Sequence, residues 1–181
     1  MRLKILYITC CSVILAACGA VLSVEWLAPK LSSVDGAERA AVSFVLRHTP
    51  LRRIEQVQWY TGGPLEISVL GVTYTGKQAY AFVQHGAATI AYADQVVPKQ
   101  RAILATETLG LPISSVVSAV PGRIDPGYHT VFGRRAGGKG AVWEITARLK
   151  GGAFLFSYVD MYTGRLLWHF TTNAQFRPWQ Q

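Results

Sequence analysis

Cysteine is absent from most of this 181-residue chain, because its three cysteines, Cys10, Cys11 and Cys18, all lie within the first eighteen residues. A disulfide framework and a cysteine-based metal site are therefore both excluded from residues 19–181. Charged residues are also scarce, at 15% of the chain, whereas half of the residues are apolar. This composition predicts a packed globular core and excludes wholesale disorder.

Acidic residues are few, with ten Asp and Glu against eighteen Lys and Arg and a formal net charge of +8. The excess favours anionic surroundings such as phospholipid head groups or polyanionic wall polymers. The basic residues never build a run of five or more like charges, so scattered solvated positions are the simpler interpretation. We expect no nucleic-acid partner.

The N-terminal segment predicts a membrane anchor over residues 1–26. Twenty residues, 5–24, carry no charge and are long enough to span a bilayer as a helix. Arg2 and Lys4 precede them, which predicts a cytoplasmic N-terminus and an extracytoplasmic remainder. The run ending in Cys18 also resembles a bacterial lipobox, in which that cysteine is lipidated, and a cleaved secretory signal is a third alternative. All three alternatives place the globular part outside the cytoplasm.

After a linker at residues 27–33, the chain predicts a helix followed by antiparallel strands, twice. The first helix covers 34–48, with Ala37, Ala40, Ala41 and Phe44 on its apolar face, and Pro98 opens the second. The second helix has an apolar face made of Ala102, Ala105, Thr106 and Leu109. The predicted strands are 54–60, 67–74, 79–85 and 88–94, then 114–120, 128–134, 141–149, 153–160 and 166–171.

This order predicts an internal repeat of α+β class, with units at 34–96 and 97–172 and a tail at 173–181. Each unit is expected to pack one helix on an antiparallel sheet. The repeat is aligned by setting Tyr80 against Trp143 and Asp94 against Asp160. Units of about 65 residues are close to the lower limit for an independent core, so the two copies should pack against each other.

No residue set predicts catalysis, and no metal or cofactor is expected. The nucleophile elbow, the phosphate-binding loop and the dinucleotide fingerprint are all missing from the sequence. Four histidines, His48, His85, His129 and His169, are spread singly and are interpreted as surface positions. A wall-polymer hydrolase would need a pair of carboxylates in a cleft, for which the sequence offers no candidate.

We also predict structural or binding roles for a few residues that belong to no motif. Arg134, Arg135 and Lys139 lie in a glycine-rich stretch that predicts a flexible basic hairpin loop or, alternatively, a partner-binding tip. Asp160 is expected to cap the turn that Gly164 completes. Trp143 and Tyr158 are expected in the core, whereas three other tryptophans could anchor a partner: Trp59, Trp168 and Trp179.

Several segments resemble a known family. Residues 143–146, the pair Gly151-Gly152, residues 156–160 and residues 163–167 together resemble the C-terminal signature of PepSY-type domains. The plan of a short basic start, a hydrophobic span and two such units is similar to the TseB/YpmB family of cell-wall elongation regulators from Gram-positive bacteria. The first unit contributes residues 54–57 and 74–80 to this resemblance.

The resemblance implies a cystatin-like fold in each unit, a membrane anchor and no enzymatic activity. It also implies association with a penicillin-binding protein that synthesises peptidoglycan during elongation. The chain departs from the family pattern through extra residues around 62–70 and 121–131, and through its basic exterior. PepSY domains suggest an alternative function, inhibition or chaperoning of a secreted peptidase.

Overall fold

The computed structural model describes residues 34–62, 66–124 and 140–172. The chain divides into two compact units, Met1–Ala40 and Ala41–Gln181. The described part of the first unit, residues 34–40, is helical. The second unit contains both predicted repeats apart from the start of the first helix.

Two helices and eight strands form the described fold. Helix α1 covers residues 34–48, and the antiparallel sheet 1 follows with β1 (Leu51–Tyr60), β2 (Glu66–Thr73), β3 (Gln78–Gln84) and β4 (Ala87–Tyr92) in that spatial order. A short 3-10 turn (Ala93–Gln95) leads to helix α2 (Lys99–Glu107). The antiparallel sheet 2 contains β5 (Ile113–Arg123), β6 (Ala141–Leu149), β7 (Phe154–Asp160) and β8 (Leu166–Thr172). The predicted α+β class is therefore confirmed, with two antiparallel four-stranded sheets.

Most predicted elements lie where the sequence places them, but the first helix needs a correction. Ala41 and Val45 are its buried positions, Phe44 is half-buried, and Ala40 is exposed. The buried stripe thus continues through Val45, which the predicted face omitted. In α2 the predicted face is confirmed at Ala102 and Thr106, which are buried, whereas Leu109 lies beyond the end of the helix. The predicted strand 128–134 lies outside the described residues.

The repeat is visible in backbone detail. In β1 the pairing register shifts between Leu51 and Arg53 and again between Ile54 and Gln56; in β5 it shifts at the positions 62 residues later. The β2–β3 and β6–β7 turns also match. Thr73 N–H donates to the Lys77 carbonyl at 2.8 Å, and Leu149 N–H donates to the Ala153 carbonyl at 2.8 Å. The two halves are therefore copies of one unit.

The alignment predicted from sequence was wrong by one strand. Tyr80 lies in β3, the third strand of its sheet, whereas Trp143 lies in β6, the second strand. Asp94 follows β4, but Asp160 ends β7. Aromatic alternation occurs in both the second and the third strands of sheet 2, so the pattern could not fix the register. The connection between β5 and β6 is longer than the one between β1 and β2, so the predicted alignment matched β3 with β6 and not with β7.

The two sheets share one core, as the small size of each unit predicted. Phe82 and Ala91 of sheet 1 pack in the same cluster as Ala102 of α2 and Trp143 and Ile145 of β6. A second cluster joins four buried residues: Tyr60, Ile124, Val142 and Tyr158. Trp143 and Tyr158 are each only 3% exposed, which confirms both as core residues.

Polar contacts also cross between the repeats. The Ser68 hydroxyl donates to the Pro121 carbonyl at 2.6 Å, and the Arg123 N–H donates to the Glu66 carboxylate at 2.7 Å. Ser68 and Glu66 are both buried, so these bonds replace lost contacts with water. Pro121 and Arg123 belong to β5, which extends three residues beyond its predicted end. Part of the segment interpreted as extra residues, 121–131, therefore forms a strand against sheet 1.

Equivalent positions of the two repeats meet at this junction. Tyr60 and Gly122 lie 62 residues apart, the offset that relates β1 to β5. A Cβ atom at Gly122 would overlap the Tyr60 ring, which is fully buried. One copy thus supplies an aromatic ring and the other supplies the space for it.

Candidate functional site

A groove of about 390 Å³ lies where sheet 1, the 3-10 turn, the start of α2 and sheet 2 come together. Its volume falls within the range of about 300–1,000 Å³ that is usual for ligand sites. The described residues that line it are Gln56, Gln58, Leu70, Gln78, Tyr80, Ala93, Val96, Val97, Pro98, Lys99, Gln100, Ala119 and Trp143. We refer to this feature as the junction groove.

Sheet 1 supplies one wall of the junction groove in an ordered way. Gln56 pairs with Leu70, and Leu70 pairs with Tyr80, so these three side chains form one row across the sheet. Gln58 is two residues further along β1 and points to the same face, because side chains alternate along a strand. Gln78 is two residues before Tyr80 on β3 and shares that face too.

The wall from the second repeat is fixed by hydrogen bonds. The indole N–H of Trp143 donates to the Val97 carbonyl at 3.0 Å, and Val97 N–H donates to the Met161 carbonyl. Tyr80 contacts Trp143 edge to face, with ring centroids 5.6 Å apart. The two hydrogen bonds hold this wall within the second repeat, and the ring contact joins it to the first repeat. A site held in this way needs little rearrangement to bind a ligand.

The chemistry of the junction groove is mostly neutral and polar. Four glutamines, Gln56, Gln58, Gln78 and Gln100, supply amides that can each donate and accept hydrogen bonds. Gln78 donates through its amide nitrogen to Glu55 at 2.8 Å, which leaves its carbonyl oxygen as an acceptor. Burial raises the pKa of Tyr80, so its phenol stays neutral at physiological pH. Lys99 is the charged side chain among the described lining residues.

Asp160 has the structural role that its sequence predicted. Its side-chain oxygen accepts from Tyr162 N–H at 2.9 Å and from Thr163 N–H at 2.8 Å, and its carbonyl accepts from Gly164 N–H. Asp94 instead forms an exposed ion pair with Lys77 at 2.9 Å, which raises the pKa of that lysine. The two aspartates that the predicted alignment pairs therefore make different contacts.

Glu144 is a buried acid that sequence reasoning did not single out. It lies in β6 beneath Gly62, and a Cβ atom at Gly62 would overlap its carboxylate. Burial raises the pKa of Glu144, and a hydrogen bond with Tyr158 lowers it by a smaller amount. Burial likewise raises the pKa of Tyr158. These groups belong to the packed junction and do not line the junction groove.

The basic residues and the cysteine that the sequence predicted to bind a partner or a lipid are not among those that the structure describes. Arg134, Arg135 and Lys139, the possible partner-binding loop, lie outside the described residues, as does Cys18, the possible lipidation site. His48, His85 and His169 are exposed, as expected, and His129 is outside the described residues. In 34–62, 66–124 and 140–172, no three His, Cys, Asp or Glu side chains are placed to hold a metal ion.

The predicted anchor also lies outside the described part of the chain. No helix within the described ranges is long and apolar enough to cross a bilayer. The alternatives for residues 1–26 therefore stay predictions. Of the tryptophans proposed as anchors for a partner, Trp59 and Trp168 are half-buried, and Trp179 is not among the described residues.

Sequence reasoning missed the junction groove, although one signal for it was available. Gln56 and Gln58 alternate with Val57 and Trp59, so two amides were predictable on one face of β1. The sequence does not indicate which other element faces these two amides. The start of α2 lies opposite them only because the two repeats pack around one shared core.

Comparison with known proteins identifies the fold. No protein-family model matches the chain, and no curated protein matches it either. A solved structure, the YpmB protein from Bacillus subtilis, is similar over 75% of this chain and 97% of that one, with a TM-score of 0.61 and 23% identity. The chain therefore has a YpmB-like fold. At this identity the likeness concerns the fold alone.

Proposed function

We propose that this chain is an extracytoplasmic interaction protein, held at the membrane by residues 1–26, that binds a penicillin-binding protein. Through that contact it regulates peptidoglycan synthesis and cell elongation. The location is supported by Arg2 and Lys4, which precede residues 5–24, and by the lack of charged residues within that run. The YpmB-like fold supports the kind of protein, since the sequence resembles the TseB/YpmB family of elongation regulators.

The junction groove is the observation that carries the proposal. Its lining comes from both repeats, so a single repeat would not form it. Its side chains are amides, one ammonium group and aromatic rings, which are groups suited to recognising a ligand by hydrogen bonds and contact area. A binding role gives the duplication a purpose, because two small units together build a concave surface. We propose no catalytic activity and no cofactor.

Crosslinking in intact cells tests the proposed partner. A tagged full-length chain is crosslinked before lysis, purified in detergent, and probed with a fluorescent β-lactam that labels penicillin-binding proteins. We expect one labelled protein to be enriched over a control strain with an untagged chain. Repeated recovery of the tagged chain without any labelled protein would contradict the proposal.

A second candidate function is inhibition or chaperoning of a secreted peptidase. It is favoured by the PepSY-like signature, whose residues form the β6–β7–β8 meander of sheet 2. The full-length chain in detergent micelles is added to the secreted peptidases of the same cells. A dose-dependent loss of peptidase activity would support this function, and unchanged activity at excess protein would exclude inhibition.

The form of the anchor is decided by the intact mass of the membrane-extracted protein. The spanning helix predicts a mass that includes residues 1–17. A mass that lacks residues 1–17 and carries lipid would establish Cys18 as a lipidated N-terminus.

The basic loop at Arg134, Arg135 and Lys139 and the affinity for anionic lipid or wall polymers are further proposals, which vesicle and polymer co-sedimentation would test.

A further inference from the structure

We propose that the junction groove binds an extended peptide segment of the partner, with a carboxylate of that peptide beside Lys99. The proposal deepens the function proposed above, since it names the surface and the chemical class of ligand. It rests on that function only for the identity of the protein that carries the segment.

The spacing of the amides matches a peptide backbone. Gln56 and Gln58 lie two residues apart on β1, where the pairing with β2 is regular. Two residues along a strand cover about 6.7 Å, which is also the repeat of an extended peptide that would lie beside it. Each glutamine can therefore bond the same kind of backbone group on successive repeats of the ligand. A peptide offers N–H and C=O groups alternately, and a primary amide can bond either one.

The charge distribution gives the bound peptide a direction. Lys99 is the first residue of α2 and lines the junction groove together with Pro98 and Gln100, so the N-terminus of the helix lies at the groove. Pro98 precedes the helix and supplies no side-chain cap. A carboxylate is stabilised at such a position both by the lysine and by the helix dipole. The glutamine wall is neutral, so the ligand requires negative charge at one end only.

The floor of the junction groove supplies contact area. Tyr80 is half-buried against Trp143, and Leu70, Val96 and Ala119 add apolar surface around it. Small or apolar side chains of the peptide would cover this floor while its backbone bonds the glutamines. The two hydrogen bonds at Val97 hold the floor and the lysine end in a fixed relation.

The test uses the full-length, isotope-labelled chain in detergent micelles and two matched probes. One is N-acetyl-hexaalanine with a free C-terminal carboxylate, and the other is the same peptide as its C-terminal amide. We expect the free acid to shift the side-chain amide resonances of Gln56, Gln58 and Gln100, and to bind about threefold more tightly than the amide, given the usual contribution of a helix terminus and an exposed cation.

Two variants separate the parts of the proposed site. Lys99→Gln should reduce the preference for the free acid to what the helix dipole alone supplies, whereas Gln58→Ala should weaken both probes by about threefold to tenfold through the loss of one or two hydrogen bonds. Lys150→Gln and Gln84→Ala are the matched controls, because Lys150 is exposed in the β6–β7 turn, Gln84 ends β3 at the opposite end from Gln78, and neither residue lines the junction groove. The control variants should bind like the natural chain.

Several outcomes would overturn the inference. These are no shift at millimolar peptide, shifts that avoid the groove residues, and binding of chitotetraose at the groove in place of the peptide. The partner experiment is then repeated with Gln58→Ala. Undiminished capture of a penicillin-binding protein would refute the groove as the interface and leave the proposed function intact. Peptide binding without any captured penicillin-binding protein would refute the proposed partner and leave the groove assignment intact.

Discussion

The two repeats share the order of one helix and four antiparallel strands, but different side chains hold them together. Their bulged first strands and their second turns match bond for bond. The second repeat adds a buried hydroxyl pair between helix and sheet, Thr106 with Ser157 at 2.7 Å, and the Asp160 turn. At the junction the first repeat supplies Tyr60 and the second supplies Gly122. The two copies thus keep the same backbone hydrogen-bond pattern in these elements, whereas their side chains differ where the copies meet.

The largest effect is expected from filling the space at the junction. Gly122→Ala places a methyl group into the buried Tyr60 ring, so ring or strand must move, and we expect a loss of about 3 kcal/mol in the free energy of unfolding. Urea unfolding of the full-length chain followed by tryptophan fluorescence measures it.

Gly36→Ala is the matched control, since apart from the adjacent residues and the backbone of its own helix nothing lies within 4 Å of the added methyl group. It should keep or slightly raise stability, because alanine is favoured over glycine in a helix. Equal stability of both variants would show that the junction does not depend on the difference between the copies.

The next effect concerns the two aspartates. Asp160→Ala removes the acceptor for two backbone N–H groups in a turn where Asp160 is only 4% exposed, so we expect a loss of about 2 kcal/mol. Asp160→Asn keeps one side-chain oxygen and should lose less.

Asp94→Ala is the comparison, and it should leave the urea midpoint unchanged because its ion pair with Lys77 is exposed. A similar loss in both alanine variants would mean that the aspartates play the same role after all.

A smaller effect is expected at the helix of the second repeat. Thr106→Val removes the hydroxyl that bonds Ser157 and leaves the Ser157 hydroxyl buried without that partner, so we expect a loss of about 1.5 kcal/mol. The double variant with Ser157→Ala should recover part of that loss, since both polar groups are then gone. A double-mutant cycle from urea midpoints measures the coupling, and strictly additive losses would argue against the bond.

The smallest expected effect is a gain in stability at one pH only. Burial raises the pKa of Glu144, so the folded state holds its proton to higher pH than the unfolded state does. Stability contributed by this group is present below its ordinary pKa and is lost as pH rises through the raised pKa. Glu144→Gln should therefore match the natural chain at pH 4 and exceed it at pH 7.

Glu107→Gln is the control for that prediction, because Glu107 is exposed on α2. It should follow the natural chain at both pH values. A Glu144→Gln variant that is less stable at pH 7 would show that the charged form is favoured in the junction.

Much of the fold was predictable because its signals are local. Alternation located β6 at residues 141–149 without error, and Pro98 marked the start of α2. The Asp160 turn followed from an aspartate and a glycine four residues apart. The alignment of the copies was not predictable, since neighbouring strands carry similar patterns and a slip by one strand preserves the alternation.

The sequence by itself determined the α+β class, the duplicated order of helix and strands, and the absence of cysteine chemistry after residue 18. These follow from periodicity, turn residues and composition, which act over a few neighbouring residues. Only the tertiary structure decided that Tyr60 covers Gly122, that Glu144 is buried, and that glutamines from β1 and β3 face the start of α2 across one groove. Those relations join residues 20 or more positions apart, and they depend on how two complete units pack, which no local pattern encodes.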